Sequence, residues 1–313
     1  MASGSRRWRP GRAVPVSTIL GPLRRGHGDP TFRVVDGAVW RTARTPLGPA
    51  TLWIRADGAA GEVVAEAWGA GAGWALEALP DMLGDADTGA DEFVADVAGR
   101  HPFLREALRR HPHWRVPRSG LVFEALLAAI LEQKVTGQEA WAGWQALLRR
   151  FGEPAPGPAA PQLGLRLAPS PETVRMIPSW EWLAMPVDPA RSRVAVVTAR
   201  VAPALERTVA LAHADAERAL CSLPGIGVWT AAEVRQRAHG DPDAVSFGDY
   251  HVPGRIGLSL TGVPVDDAGL EALLEPFRPH RHRVQRLVEL CAGAPPRRGP
   301  RMPPRRHLPG RYR

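Results

Sequence analysis

The stretch Leu220–Gly227 reads LCSLPGIG, and Val228–Ala231 after it reads VWTA. This pattern predicts a helix that ends at Pro224-Gly225, a turn with two glycines, and a second helix. Gly225 and Gly227 allow positive φ angles and leave no Cβ above the turn. The backbone N–H groups of the turn are then exposed, and such a nest binds a phosphate without reading a base sequence. A helix–glycine turn–helix without this role is the alternative.

A second informative segment, Val245–Val252, reads VSFGDYHV. Asp249 lies in its Gly–Asp turn, just before a predicted helix, and an aspartate at such a position is commonly a helix N-cap. A carboxylate can also stabilise a developing positive charge and orient or deprotonate a water molecule. The segment alone therefore leaves a structural and a catalytic interpretation of Asp249 open.

The first part of the chain contains short β-type runs separated by turn signals. Asp36-Gly37 lies between two of these runs and indicates a hairpin, and Glu62–Ala67 is a further candidate strand. From Ala90 onward apolar residues recur at helical spacing, most clearly over Leu121–Gln133, with Ser119 near its N-cap. The fold class predicted is α+β, with a small N-terminal antiparallel sheet domain followed by an all-α domain.

The expected divisions of the chain follow from these patterns. They are a basic flexible N-terminus (1–20), a small α/β domain (21–90), an all-α domain (91–292) and a disordered Arg/Pro-rich tail (293–313). Within the helical domain we expect helices over Gly137–Phe151 and Pro189–Ala212. Gly152–Pro171 is rich in proline and glycine, which predicts a loop.

Composition restricts the chemistry. The chain has 40 Lys+Arg against 32 Asp+Glu, but the arginine excess lies in the two termini, so the high pI identifies no partner by itself. Cys221 and Cys291 are too few for an iron–sulfur cluster, and the absence of a CxxC pair argues against structural zinc. We expect no metal-ligating side chains and no membrane span.

Together, the hairpin and the aspartate resemble the helix–hairpin–helix DNA glycosylase superfamily. The resemblance is closest to the 3-methyladenine DNA glycosylase II family, which excises alkylated bases. Phe123–Gln133 looks like the first core helix of that family, Leu223–Ala231 like its hairpin, and Val245–Val252 like its aspartate-bearing loop. Pro276–Arg283 resembles the start of its last helix. The resemblance also implies that the N-terminal sheet domain is TBP-like.

The resemblance implies a role for each of several residues. Asp249 would be the catalytic carboxylate, acting on a base that has been flipped out of the duplex. Because alkylated purines are cationic, electron-rich aromatic rings suit their pocket. The predicted pocket residues are Trp229, Tyr250, Trp180, Trp182 and His280, the last replacing an aromatic residue that is frequent in the family. The predicted DNA-binding residues are Leu223, Pro224, Gly225, Ile226, Gly227, Thr230, Gln133 and Lys134.

Two positions depart from wider patterns of the superfamily. Members that also cleave the DNA backbone carry a lysine where this chain has Trp229, and that lysine forms a Schiff base with the sugar. We therefore expect a monofunctional glycosylase without AP-lyase activity. Lys134 stands where an apolar residue usually wedges into the gap left by the flipped base. A contact to phosphate and a solvated helix end are the alternatives for Lys134.

The expected partner is double-stranded DNA with damaged bases, bound by a monomer in the cytoplasm, associated with the nucleoid. No cofactor is expected, apart from a monovalent cation that backbone carbonyls of the hairpin could hold. Two other functions stay open. One is a non-catalytic helix–hairpin–helix DNA-binding protein, and the other is a glycosylase whose substrate range has shifted to deaminated or oxidised bases.

Overall fold

The structure, a computed structural model, describes residues 3–97 and 99–292. The tail predicted for residues 293–313 lies outside the described residues. The strands are β1 (Ser3–Trp8), β2 (Phe32–Val35), β3 (Ala38–Thr45), β4 (Gly48–Asp57), β5 (Glu62–Trp68), β6 (Glu153–Pro154) and β7 (Arg166–Leu167). The α-helices are α1 (Val16–Leu20), α2 (Ala72–Glu77), α3 (Leu79–Met82), α4 (Ala90–Val97), α5 (Pro102–Arg110), α6 (Val122–Glu132), α7 (Gly137–Phe151), α8 (Pro171–Met176), α9 (Ser179–Ala184), α10 (Pro189–Arg200), α11 (Ala202–Glu206), α12 (His213–Cys221), α13 (Val228–Val234), α14 (Val252–Thr261), α15 (Asp267–Leu274) and α16 (Arg281–Cys291). Short 3-10 helices cover Gly21–Leu23, Arg207–Ala210 and Glu275–Phe277, and a π-helical segment covers Arg235–His239.

The N-terminal part contains a five-stranded antiparallel sheet in the order β1-β5-β4-β3-β2. Asp36 and Gly37 connect β2 to β3 with φ angles of 50° and 77°, which is the two-residue turn that the Asp–Gly signal predicts. Alternate residues of the central strands, such as Val39, Leu52 and Ile54, are fully buried on one face. They pack with α1, α2 and α3 into the first hydrophobic core.

The prediction that residues 1–20 form a flexible basic N-terminus is wrong for the described residues 3–20. β1 pairs with β5 along its whole length, and α1 packs under the sheet. Two arginines of this segment bind one buried carboxylate: Arg7 Nη1 lies 2.5 Å from Glu62 Oε1, and Arg9 Nε lies 3.3 Å from Glu62 Oε2. The sequence pattern suggested solvated arginines because this acidic partner follows more than fifty residues later.

The helical part is built around α6, in which nine of eleven residues are buried. α6 packs against α7, α10, α11 and α13 in a second core. A third core joins α4 and α5 to α14, α15 and α16. The segment between α13 and α14 therefore runs from one helical core to the next.

The buried N-terminus of α6 is capped by a residue that is distant in the sequence. The carboxylate of Glu206 accepts hydrogen bonds from the N–H groups of Val122 and Phe123, each at 2.8 Å. The sequence predicts Ser119 near this cap, but its Oγ accepts only from Leu121 N at 3.4 Å, ahead of the helix. Burial raises the pKa of Glu206, and the two N–H donors oppose that shift by stabilising the ionised form.

The predicted loop Gly152–Pro171 contains the short ladder of β6 and β7, so the region from residue 91 to 292 is not purely α-helical. This segment packs on the sheet: Arg166 N donates to Pro30 O, and Thr42 Oγ1 donates to Arg166 O, both at 2.8 Å. A loop interpretation missed it because each strand has only two residues. The order of a sheet followed by helices is nevertheless the α+β fold that the sequence predicts.

The predicted helix Pro189–Ala212 is divided into α10, α11 and a 3-10 turn, with Pro203 in the first turn of α11. Proline lacks the N–H that would continue α10 and is tolerated at a helix start, so the interruption at Val201 has a local cause. The predicted helix Gly137–Phe151 is confirmed with the same ends. The position at which the chain divides into domains stays a prediction. Among the described residues, no helix is both long and apolar enough to cross a bilayer.

We expect Glu206→Ala to lower the free energy of unfolding by about 1–2 kcal/mol, because two buried N–H groups of α6 lose their acceptor. Urea unfolding followed by circular dichroism measures this change. The control is Glu271→Ala on the exposed face of α15, for which we expect a change within about 0.5 kcal/mol. Equal destabilisation by the two variants would contradict the capping role of Glu206.

Candidate functional site

The turn between α12 and α13 has the predicted hairpin geometry, and Gly225 is required in it for two reasons. Its φ angle is +87°, which favours glycine. A Cβ at this position would lie 2.3 Å from Val194 Cγ2. Ile226 is buried and donates its N–H to Leu223 O at 3.0 Å, which anchors the turn on the core. The backbone at the tip of the hairpin is therefore held in one conformation.

Gly227 does not use the positive φ angle that a glycine in this turn allows. Its φ of −96° and ψ of 179° are extended, and a Cβ built there would meet nothing within 4 Å. Gly227 is the N-cap residue of α13, and without a side chain it cannot cap the N–H groups of the first helical turn. Gly225, Gly227 and Val228 are exposed. These N–H groups are thus available to an anion at the hairpin.

The end of α6 is bound to the hairpin through one amide. Gln133 Nε2 donates to Gly225 O and to Thr230 Oγ1, both at 2.9 Å. Lys134 follows, exposed, with a positive φ of 52°. Three of the predicted DNA-binding residues are therefore in direct contact, and Lys134 lies next to them in the chain. Gln133 and Thr230 therefore stabilise the hairpin, since their polar atoms bind each other.

Asp249 joins the hairpin to the start of α14. Its Oδ1 accepts from the N–H groups of His251 and Val252, at 2.7 and 3.0 Å. It therefore binds the start of α14, although the N-cap residue of this helix is His251 and not Asp249. Its Oδ2 accepts from the indole Nε1–H of Trp229, the second residue of α13, at 3.1 Å. The structure thus brings together the predicted catalytic residue and one of the predicted pocket residues.

The remaining predicted pocket residues do not form one group. Tyr250 is 91% exposed, with its ring against that of His251, and Trp180 is 68% exposed. Trp182 is wrongly predicted as a pocket residue, because it is 2% exposed and packs in the core around α6. The alternation within α9 places the two tryptophans on different faces of that helix.

His280 is also removed from an open pocket. It is buried with its ring 5.3 Å from that of Phe93, and its Nδ1 accepts from Arg283 Nε at 3.2 Å. Burial and the nearby charge of Arg283 lower the pKa of His280. A neutral ring in this setting supports the packing of α16 against α4. The prediction that His280 lines the pocket is not supported by these contacts.

Sequence reasoning missed a set of buried polar residues beneath Asp249. Ser246 precedes Asp249 by three residues and is surrounded by the side chains of Glu233, Gln236 and Gln285. Their one signal in the sequence is a polar residue at a position that helical spacing assigns to a core. Across residues 3–97 and 99–292, no group of three or more His, Cys, Asp or Glu side chains is arranged to hold a metal ion.

An open groove of about 640 Å³ lies on the sheet, on the opposite face from the first core. Trp40, Trp53 and Arg55 line one side of it, and Gln162 and Leu163 line the other. None of the predicted site residues contributes to its lining. Although the groove is large, its lining lacks these residues, so the candidate site stays at the hairpin and Asp249.

Comparison with known proteins gives independent information on the fold. No family model matches the chain. A protein of Mycobacterium tuberculosis, named a probable bifunctional transcriptional activator/DNA repair enzyme AlkA, is 29% identical over 206 residues. The match covers 63% of this chain and 38% of that protein, so the chain spans well under half of the length of this relative.

Two solved structures resemble nearly the whole chain. The 3-methyladenine DNA glycosylase of Archaeoglobus fulgidus has a TM-score of 0.74 at 18% identity, covering 90% of this chain and 97% of that one. The 8-oxoguanine glycosylase/lyase of Clostridium acetobutylicum, bound to double-stranded DNA, has a TM-score of 0.66 at 14% identity, covering 87% and 89%. The two structures show that the chain has the fold of DNA glycosylases, the class of protein that its hairpin and aspartate resemble.

Proposed function

We propose that the protein is a monofunctional DNA glycosylase that excises alkylated purines of the 3-methyladenine type in base excision repair. The observation that carries the proposal is the hydrogen bond from Trp229 to Asp249, which holds a carboxylate beside the hairpin. The similarity of the chain to a DNA repair enzyme and to two glycosylase structures supports the same class of reaction.

The chemistry requires that the damaged base leave the stack before its glycosidic bond is broken. Loss of the base develops positive charge on the sugar, and the carboxylate of Asp249 would stabilise that charge and orient the attacking water. Three N–H groups already fix this carboxylate. Each carboxylate oxygen can accept two hydrogen bonds, so Oδ2, with one donor from Trp229, can still accept from a water molecule.

The hairpin would hold the phosphate backbone of the duplex. The uncapped N–H groups at the start of α13 suit a phosphate oxygen, and Lys134 adds a positive charge beside them, either to phosphate or in the gap left by the flipped base. A monovalent cation on the hairpin carbonyls fits the donor set, because Leu223 O and Gly225 O each accept one hydrogen bond and keep a second lone pair. No chemical step depends on that cation.

Alkylated purines are the favoured substrates because the exposed aromatic rings near the site suit a cationic base. Tyr250 follows Asp249 directly, and the indole of Trp229 is half-buried beside the carboxylate. The second candidate is a glycosylase for oxidised or deaminated bases. Lys134, which stands where an apolar wedge is usual, keeps this candidate open.

A fixed hairpin turn is needed for DNA binding, so Gly225→Ala should weaken it. We expect the free energy of unfolding to fall by about 1–3 kcal/mol, from the positive φ and the contact with Val194, and the affinity for a plain duplex to fall as well. Urea unfolding and fluorescence anisotropy measure the two effects. Gly227→Ala is the matched control, with an expected loss of stability below about 1 kcal/mol. If the two variants unfold alike, the geometry of the turn is not the cause.

Asp249→Asn should lower the single-turnover release of methylated purines from alkylated duplex DNA by about 10²–10⁴-fold, because the amide cannot replace the charge of the carboxylate. DNA binding should stay close to that of the unchanged protein. Release that is equal in both proteins would remove Asp249 from the mechanism. DNA binding without release by either would favour the non-catalytic function or another lesion, which oxidised and deaminated substrates then distinguish.

Borohydride should trap no covalent complex between the protein and DNA that contains an abasic site, because Trp229 occupies the position of the Schiff-base lysine. Although Lys134 is far from Trp229 in the sequence, it lies close to the hairpin, and this makes the experiment necessary. A bifunctional glycosylase treated in parallel shows that trapping works. A trapped complex that disappears in Lys134→Arg would mean that Lys134 supplies the amine and that the protein is a lyase.

A further inference from the structure

Ser246 is fully buried, and each of its polar groups has a partner. Its Oγ donates to Glu233 Oε1 at 2.7 Å and accepts from Gln236 Nε2 at 2.9 Å and Gln285 Nε2 at 3.2 Å. Its N–H donates to Gln285 Oε1 at 3.2 Å, and its carbonyl accepts from Asp249 N, also at 3.2 Å. A hydroxyl has one donor and two acceptor sites, so the bonding capacity of this side chain is filled.

The three partners of Ser246 come from separate elements and are themselves buried and bound. Glu233 belongs to α13, Gln236 to the π-helical segment and Gln285 to α16. Glu233 Oε2 lies 2.8 Å from Arg237 Nη1, which balances its charge. Burial raises the pKa of Glu233, and Arg237 opposes that shift. Such a network is stabilising only when every member is satisfied, so it holds one arrangement of these elements.

α13 contacts the segment Ser246–Asp249 at both of its ends. Trp229 binds Asp249, and Glu233, four residues later on the same face of the helix, binds Ser246. Between these ends the chain forms a turn closed by Asp249 N to Ser246 O, with Gly248 at a φ of 84°. A turn fixed at two points on one helix face can neither slide along that face nor rotate on it.

We propose that Ser246 is a positioning residue for Asp249, held by Glu233, Gln236 and Gln285. This inference rests on the proposed function, in which the carboxylate of Asp249 acts on the sugar. Because Ser246 is fully buried, it acts through the turn and sets where the carboxylate stands relative to the hairpin. The phosphate-binding helix and the aspartate would then be one rigid unit, so a duplex seated on the hairpin meets a carboxylate already in place.

The test compares Ser246→Ala with Ser192→Ala, which removes a buried serine hydroxyl that donates within its own helix, to Pro189 O of α10. We expect Ser246→Ala to slow single-turnover excision at saturating enzyme by about 10–100-fold, the effect of misplacing a reacting group by about an ångström. The Kd for the duplex should change by less than about twofold, because the hairpin is intact. Ser192→Ala should match the unchanged protein in both measurements.

A second readout follows the geometry without activity. The indole N–H resonance of Trp229, identified by its absence in Trp229→Phe, reports the hydrogen bond to Asp249. We expect this resonance to shift in Ser246→Ala and to stay in Ser192→Ala. If Ser246→Ala does not fold, Gln285→Met removes two of the bonds to Ser246 from another helix while keeping its volume, and it should give the same rate loss and the same shift.

Each result decides the inference. It is overturned if excision by Ser246→Ala stays at the unchanged rate, if the rate falls only in proportion to DNA affinity, or if the Trp229 resonance does not move. Failure of the proposed function looks different, since Asp249→Asn would then excise normally or neither protein would release a base. In that case the Trp229 resonance still decides whether Ser246 positions Asp249.

Discussion

A helix buried on every side must find partners for the backbone groups at both of its ends, and this constraint organises the helical part of the molecule. At the N-terminus of α6 the partner is Glu206, from α11. At its C-terminus Arg191, from α10, donates to Leu131 O at 2.6 Å. Gln133, the next residue after α6, donates to Gly225 O and so links this end of the helix to the hairpin. The elements that satisfy α6 are thus the ones that surround it, and the hairpin is positioned by the same helix.

Through α13, the hairpin also positions the candidate catalytic residue Asp249. α13 has its first turn at the exposed tip and its next turn in the core, so one short helix meets both solvent and the buried polar network. Trp229 lies at the boundary between the exposed tip and the buried network, because its indole is half-buried and its N–H donates to Asp249. The structural and catalytic interpretations of Asp249 are therefore compatible, since one oxygen binds N–H groups at the start of α14 while the other accepts from Trp229 of α13.

The sequence predicted what depends on local patterns and failed where distant partners decide. The Asp36-Gly37 hairpin, α7 and the turn at Gly225 follow from turn and helix signals, and the structure confirms them. The strand β1 was missed because the partners of its arginines lie far along the chain, Glu77 for Arg6 and Glu62 for Arg7. Trp182 shows a similar limit: two tryptophans two residues apart look alike in a sequence, but helix geometry buries one and exposes the other. The network around Ser246 was missed because polar residues at core positions do not show which partners they bind, and the three partners of Ser246 come from three separate elements.

The position of Lys134 has a practical consequence. It is the one lysine of a 313-residue chain, and it is exposed beside the hairpin. Apart from the terminal amine, a reagent that acylates amines therefore has one side chain to modify. The degree of modification therefore measures how far the surface around Lys134 is covered, because a duplex bound there protects its Nζ from the reagent. A fluorophore attached there would report occupancy of the hairpin without the introduction of a cysteine.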